Sequence, residues 1–472
     1  MSRARYAMLE RLLIAALVAC CRLAHAQLPA EHQQMRDIFQ QLVEIDTTDS
    51  AGSCTDAAQA MALRLKAGGY GASELQLIVP PGGPRKGNLV ATLKGDGTRR
   101  PLLLLAHLDV VEAKRADWTR DPFKLIEENG TFYGRGVIDD KAMAAALVVT
   151  MLRLKREQVP LRRNVILALT CDEELARLDF RGVDYLLKHH RPLIDAELAI
   201  NEGAYGMLDA HGKRVALGVQ IGEKATQSYD LDVVNAGGHS SLPVDDNAIY
   251  HLADGLSRLA RWQFPLHLLP STRAYFEQLS QLESGPLAAD MQATLRQPPD
   301  ADAAMRLAQA DPNYHAMLRT TCVATQVDAG HAANALPQRA HAVVNCRILP
   351  GESQEEVQQT LARVLDNPKI KLTPIGMALV APTPPINPQL MQAIAAVAAE
   401  LWPGTPLLPT LFVAGSDGRF LNSAGIWTYG VTGIFVGADR GNMHGLNESV
   451  PVKSVYEGQQ FLYRLARKLA AE

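Results

Sequence analysis

Residues 102–141 read LLLLAHLDVVEAKRADWTRDPFKLIEENGTFYGRGVIDDK, and the ends of this stretch set the fold. It opens on four leucines and an alanine with no polar interruption. Such a run fits a strand buried on both faces of a parallel sheet. His107 and Asp109 stand where the run ends, and open α/β sheets bind ligands at the carboxyl ends of their strands. An imidazole followed two residues later by a carboxylate suits a metal ligand and its orienting partner. The stretch closes on Gly134-Arg135-Gly136 and Asp139-Asp140-Lys141, after which residues 142–155 carry Leu and Val at helical spacing. A carboxylate is thereby set at a helix start behind a glycine-rich turn.

The pattern recurs downstream. The apolar run 165–170 leads into Cys171-Asp172-Glu173-Glu174, and residues 198–200 lead into Asn201-Glu202-Gly203. Helical segments at 142–155 and 183–190 separate these strands, so the alternation predicts βαβ units and a mainly parallel sheet. A first helix is expected at 28–43, and strands at 75–79 and 88–93 joined by a proline–glycine turn. Near Lys224 the character changes. Residues 228–234 alternate as a half-exposed strand should, 247–259 form an amphipathic helix, and 322–327 and 341–348 are strands. A helix at 353–365 and a strand at 369–374 complete a small α+β insert of ferredoxin-like type. Residues 265–320 form a helix-prone insertion punctuated by prolines. From Pro382 the first pattern returns, with a helix at 387–401, strands at 410–414 and 433–436, and a terminal helix over 459–470. The expected organisation is a leader (1–26), a catalytic domain in two parts (27–224 and 381–472), and an inserted lid or dimerisation domain (225–380).

A chain of 472 residues exceeds one ordinary core, which agrees with two domains. The 47% hydrophobic and 21% charged residues are those of a soluble globular protein. A net charge of −3, with no basic tract interleaved with aromatics, argues against nucleic acid or an anionic membrane as partner. At the N-terminus Arg3, Arg5 and Arg11 precede the apolar run 12–19, and Ala24-His25-Ala26 has the form of a cleavage site. The mature chain would start at Gln27. The apolar run is too short to span a bilayer, so no transmembrane segment is expected in the mature protein. Leu17-Val18-Ala19-Cys20 also fits a lipoprotein box, which would leave a lipid on Cys20. Both readings export the protein, to the periplasm or beyond. Cys54, Cys171, Cys322 and Cys346 lack C-x-x-C spacing, which argues against a cysteine metal cluster. Export permits disulfides, although a core this large does not need them. Cys322 and Cys346 could pair across two strands, with isolated buried thiols as the alternative.

H-x-D followed by W-x-x-D-P-F and G-R-G-x-x-D-D-K resembles the co-catalytic zinc aminoacylase/carboxypeptidase family. That family includes glutamate carboxypeptidase, acetylornithine deacetylase, succinyl-diaminopimelate desuccinylase, aminoacylase and carnosinase. Its remaining motifs occur in order: D-E-E at Asp172, N-E-G at Asn201, and H-G-x-x-E at His444. The resemblance implies a parallel-sheet di-zinc catalytic domain with a ferredoxin-like lid. It makes His107, Asp139, Glu174, Glu202 and His444 the metal ligands, with Asp139 shared between two metals and Asp109 orienting His107. Two zinc ions are implied, with cobalt or manganese as substitutes. Glu173 becomes the general base that would take the proton of a metal-bridging water, leaving the attacking hydroxide, and deliver it to the leaving amine. His239 in G-G-H-S-S matches the lid histidine that a partner subunit contributes to oxyanion stabilisation in dimeric members. Asn334 and Arg347 match positions that hold the substrate carboxylate, a task suited to the arginine fork. Asp417 in G-S-D-G-R matches a further motif to which no role attaches.

One departure stands out: the residues between Glu174 and Gly182 are bulkier and more charged than the family's small glycines. The D-D-K and N-E-G variants and the lid insertion are closest in style to the carboxypeptidase S and N-acyl-amino-acid hydrolase branch. The expected activity is cleavage of short peptides beside a free carboxylate by a homodimeric enzyme. Alternatives are an N-acyl-amino-acid amidohydrolase and a catalytically silent peptide-binding protein on the same fold.

Overall fold

In the computed structural model, which describes residues 28–175, 180–376 and 378–472, the strand Leu102–His107 lies at the centre of the larger of two principal sheets. The expected leader, its cleavage after Ala26 and the Cys20 alternative lie outside the described residues. The central strand pairs in parallel with Val165–Thr170 on one side and Leu198–Asn201 on the other. All residues of Leu102–His107 and Val165–Thr170 are buried, as continuous Leu, Val and Ile runs require when helices cover both faces. Antiparallel strands Asn88–Leu93 and Leu75–Ile78 extend one edge. On the other side follow Trp427–Gly430, parallel to Leu198–Asn201, and then Arg214–Glu223.

The crossover helix Lys141–Arg156 explains how the sheet is covered. Its first turns are Ala142, Ala144, Ala145 and Ala146, and its later turns are Leu, Val and Met, nearly all buried. A helix apolar on all sides belongs inside a protein. It packs between Ala30–Glu44 and the long terminal helix Val452–Ala471. The terminal helix begins seven residues earlier than its apolar spacing suggests, at the residue after Pro451. Several elements escape the sequence pattern, the strand Trp427–Gly430 among them, and two show why. The helix Cys54–Ala67 is alanine-rich with weak amphipathic contrast, started by Ser53 accepting from the Asp56 N–H at 3.2 Å. The strand Arg214–Glu223 is interrupted by Gly218 and Gly222, which mask its period.

The smaller sheet is antiparallel, in the spatial order Thr321–Ala329, Arg339–Ile348, Ala225–Val234, Lys371–Ile375. With helices Ala248–Arg261 and Gln354–Leu365 this is a βαββαβ unit, the ferredoxin-like arrangement. Tyr229, Leu231, Val233, Ala342, Val344 and Cys346 share a core with Leu252, Leu259, Leu361 and Leu365 from the two helices. Alternation along the strands leaves Thr226, Ser228, Asp230, His341, Asn345 and Arg347 on the opposite face.

The insertion forms four helices, Pro270–Leu282, Gly285–Thr294, Ala301–Ala310 and Pro312–Leu318. Although they interrupt the smaller unit in sequence, Phe276, Leu279, Met291 and Leu307 pack with Leu408 and Leu411 of the larger sheet. Strand Leu407–Phe412 pairs on one side only, with Arg214–Glu223, and the helices cover its inward leucines. It starts three residues before the expected position, because Pro409 is tolerated at a sheet edge.

The four cysteines among the described residues pair as Cys322–Cys346 and Cys54–Cys171. The first joins direct register partners on adjacent strands. The second, between residues 117 apart in sequence, ties the start of a helix to the turn after Val165–Thr170. Leu104, 1% exposed in the central strand, tests the packing: Leu104→Ala should lower unfolding free energy by about 3 kcal/mol. Leu63→Ala, at a position 61% exposed, should change it by less than about 0.5 kcal/mol. Urea unfolding midpoints compare the two, and equal shifts would contradict the packing described.

Candidate active site

The strand Leu102–His107 ends on His107, whose register partner is Thr170. Two residues beyond Thr170, Asp172 adopts the left-handed conformation with φ 64°, one that non-glycine residues occupy at a cost of about 1 kcal/mol. It turns the chain out of the strand. The N–H groups of Glu173 and Glu174 then both donate to the Asp109 carboxylate, at 3.1 and 3.0 Å. The carbonyl of Asp109 lies 3.0 Å from His107 Nδ1, whereas its carboxylate lies 3.6 Å away. Asp109 therefore orients His107 mainly through its backbone, and its side chain holds the Glu173–Glu174 turn. An Nδ1–H given to a carbonyl leaves Nε2 as the outward-facing lone pair.

That Nε2 lies 2.9 Å from Asp139 Oδ1, and His444 Nε2 lies 3.1 Å from Asp139 Oδ2. Each oxygen of one carboxylate thus meets a different imidazole. Two groups of possible ligand atoms, each within 4.8 Å, share Asp139: His107, Asp139 and Glu202, and Asp139, Glu174 and His444. His444 Nε2 is also 3.1 Å from Glu174. The first group is buried, while His444 is exposed, so the cluster opens on its side. Glu202 follows Leu198–Asn201 directly. The next residue must be glycine: Gly203 has φ 124°, and a Cβ there would fall 1.7 Å from Gln220 Oε1.

Residues more than 300 apart meet here because Ser449–Pro451 pairs with Thr131–Tyr133. Glu448, fully buried, fastens the two loops. Its carboxylate accepts from Arg135 Nη1 at 2.7 Å and from the N–H groups of Gly136, Ile138 and Asp139 at 3.0, 2.9 and 3.3 Å. Arg135 donates onward to the Gly445 carbonyl at 3.0 Å, and its guanidinium lies 5.0 Å from the Trp118 ring. Tyr205 donates to the Ile138 carbonyl at 3.1 Å. Arg135, Glu448 and Tyr205 hold the loops that carry Asp139 and His444, yet only their places inside G-R-G, H-G-x-x-E and N-E-G-x-Y hint at this in sequence.

The donor chemistry fits divalent cations. Burial, and then the charge of Asp139, push the carboxyls of Glu202 and Glu174 upward. Contacts with Asp139 and Glu174 pull His444 up to about 10. Buried carboxylates crowded in this way require protons or cations. Imidazole nitrogens with carboxylate oxygens suit zinc, and also cobalt or manganese. Glu173 itself is raised to about 8 by burial and by the nearby Asp417 charge.

The residues of the smaller unit stand apart from this cluster. His239 is exposed on the short strand Gly238–His239, paired with Ala335–Leu336, and its Nδ1 contacts Ser241 Oγ at 2.8 Å. Asn334, also exposed, adjoins the same ribbon and accepts from the Ser240 N–H at 3.1 Å. Neither belongs to the two ligand groups. Arg347 donates to Thr226 at 2.8 Å. Burial and then the positive charge of Arg419, which lies in the helix Gly418–Ser423, depress its pKa. Arg419, in G-S-D-G-R, is a further residue the motif did not single out.

Comparison with known proteins agrees with this geometry. Residues 103–468 match the family described as peptidase family M20/M25/M40. The chain is 27% identical to human N-fatty-acyl-amino acid synthase/hydrolase over 384 residues, covering 79% of this chain and 75% of the relative. It is likewise 27% identical to a probable carboxypeptidase S-like protein of Dictyostelium discoideum, covering 80% and 74%. An M20 family metallo-carboxypeptidase from Sulfolobus solfataricus superposes with a TM-score of 0.67 at 19% identity, covering 92% of this chain and 98% of that one. A Bacillus subtilis neighbour, a dinuclear metal-binding M20 peptidase, superposes at 0.59 with 13% identity, covering 93% and 99%. With the match spanning the whole strand-end cluster from His107 to His444, the chain belongs to peptidase family M20/M25/M40, as an enzyme of metallocarboxypeptidase or amidohydrolase type.

Proposed function

We propose that this enzyme is an exported di-zinc metallopeptidase that cleaves short peptides at the amide bond next to a free carboxylate. The observation that carries the reading is the sharing of Asp139, whose two oxygens each meet a separate imidazole while Glu202 and Glu174 complete the two sides. Zinc would be held by His107, Asp139 and Glu202 on one side and by Asp139, Glu174 and His444 on the other. When bound, such a cation pair supplies Lewis acidity that acidifies water and polarises a carbonyl. Glu173 takes the proton from the attacking water and returns it to the leaving amine. Arg347, whose pKa is lowered by burial and by the charge of Arg419, receives the substrate carboxylate through its guanidinium fork.

Export rests on the leader segment, with soluble release and a lipid on Cys20 as its two forms. Among the described residues no helix is long and apolar enough to cross a membrane. The homodimer reading is supported by strand Thr321–Ala329. It pairs on one side only and is exposed along most of its length, with Val323 and Val327 turned outward. Unpaired strand edges of this kind recruit partners. Exposed Ile249 and Tyr250 begin the neighbouring helix. In such a dimer His239 serves the partner's site as an oxyanion donor. The N-acyl-amino-acid amidohydrolase reading is favoured by the human relative, whose name describes N-fatty-acyl amino acids. A silent binding protein is the weaker alternative, since the sequence keeps each residue proposed as a ligand and the proposed base.

A panel of dipeptides and N-acyl amino acids separates these readings: faster turnover of dipeptides supports the peptidase, and the reverse order overturns it. Glu173→Gln should lower kcat by at least about 100-fold with metal content unchanged, and full activity would remove Glu173 as the base. Co-expressed Glu173→Gln and His239→Ala chains should recover activity that neither homodimer has. No recovery in mixed dimers would contradict donation of His239 between subunits.

A further inference from the structure

The loop that follows Glu174 rejoins the fold at Gly182, whose N–H donates to the Cys171 carbonyl at 2.7 Å. A Cβ at Gly182 would lie 2.0 Å from Asn88 Oδ1, so the base of the loop is closed tightly. Arg181, immediately before it, turns inward, and its side chain is 2% exposed. Its Nη1 lies 3.2 Å from Asp417 Oδ1 and 3.5 Å from Glu173 Oε1, and its Nη2 donates to the Leu175 carbonyl. Its guanidinium sits 5.3 Å from the Phe420 ring centre. Asp417 is equally buried and accepts from Thr170 Oγ1 at 3.0 Å. Thr170 is the register partner of His107. A continuous set of contacts therefore runs from the strand end beneath the ligands, through Asp417 and Arg181, to the carboxylate of Glu173.

A buried ion pair is a poor source of stability, because desolvation cancels most of its attraction. A planar guanidinium held at several points is, however, a rigid support for a third group. We propose that Arg181 is a positioning residue for Glu173: held by Asp417, the Leu175 carbonyl and Phe420, it fixes the Glu173 carboxylate in the orientation used for proton transfer. This rests on the reading of Glu173 as the base. It also gives the charged loop in place of the family's glycines a specific task. Without Arg181, the carboxylates of Glu173 and Asp417 would lose the one guanidinium nitrogen that both contact, and Glu173 would swing away. Proton transfer tolerates little displacement, and about 1 Å of misplacement can cost 100-fold in rate.

The test uses the full mature chain loaded with zinc and assayed on its best dipeptide or N-acyl amino acid. Arg181→Met should reduce kcat by about 100-fold with KM and zinc content unchanged, and Arg181→Lys should recover part of that loss. In the Glu173→Gln background, Arg181→Met should cause no further fall in kcat. A shared structural effect would instead lower zinc content, or lower kcat in both backgrounds. Unchanged kcat in Arg181→Met, or a rise in KM alone, would overturn the proposal. If Arg181→Met does not fold, Arg181→Lys and Asp417→Asn decide the matter: kcat reduced at constant KM supports the role, and wild-type kcat in both overturns it. Full activity of Glu173→Gln would instead show that the base reading itself had failed.

Discussion

One carboxylate shared between two imidazoles constrains most of this structure. For Asp139 to present one oxygen to His107 and the other to His444, a strand end, a glycine-rich turn and a distant C-terminal loop must meet within a few ångströms. The parallel sheet supplies the strand end. The small sheet formed by Ile126–Glu128, Thr131–Tyr133 and Ser449–Pro451 brings the two loops together. Glu448 and Arg135 then lock them, because a buried carboxylate that accepts three backbone N–H groups and a guanidinium leaves the intervening chain little freedom. Each part is marginal alone. Together they hold several acidic side chains where burial would otherwise disfavour their charge.

The same economy appears around the proposed base. Asp109 uses its carbonyl on His107 and its carboxylate on the Glu173–Glu174 turn, so ligand and base are aligned by one residue. The disulfide Cys54–Cys171 anchors that turn from behind. The smaller unit contributes differently. It places Arg347 near the junction of the two sheets and leaves His239 and Asn334 exposed on a projecting ribbon. In the proposed dimer, His239 of that ribbon would serve the site of the partner chain.

Much of this was legible in the residues. Buried parallel strands announce themselves as unbroken apolar runs, and the acidic or imidazole residue at each carboxyl end marks where chemistry belongs. The ferredoxin-like unit was readable because its strands alternate and its helices are amphipathic. Less was legible where local pattern and tertiary role diverge. The helix Cys54–Ala67 carries little amphipathic contrast, and Gly218 and Gly222 disguise the strand Arg214–Glu223. The insertion's helices were foreseen, but their packing on the larger sheet depends on a strand some ninety residues later. Arg135, Glu448 and Arg181 act through contacts that span the chain. Local spacing cannot reveal a side chain's partner when the two are hundreds of residues apart, as with Arg181 and Asp417.

The most direct test of the central claim is the metal stoichiometry of purified mature protein, measured by elemental analysis for the wild type and for Asp139→Asn. Sharing of Asp139 predicts about two divalent cations per chain in the wild type, with binding at both positions weakened together by the single substitution. One cation or none in the wild type, or an Asp139→Asn chain that keeps both at wild-type affinity, would contradict it.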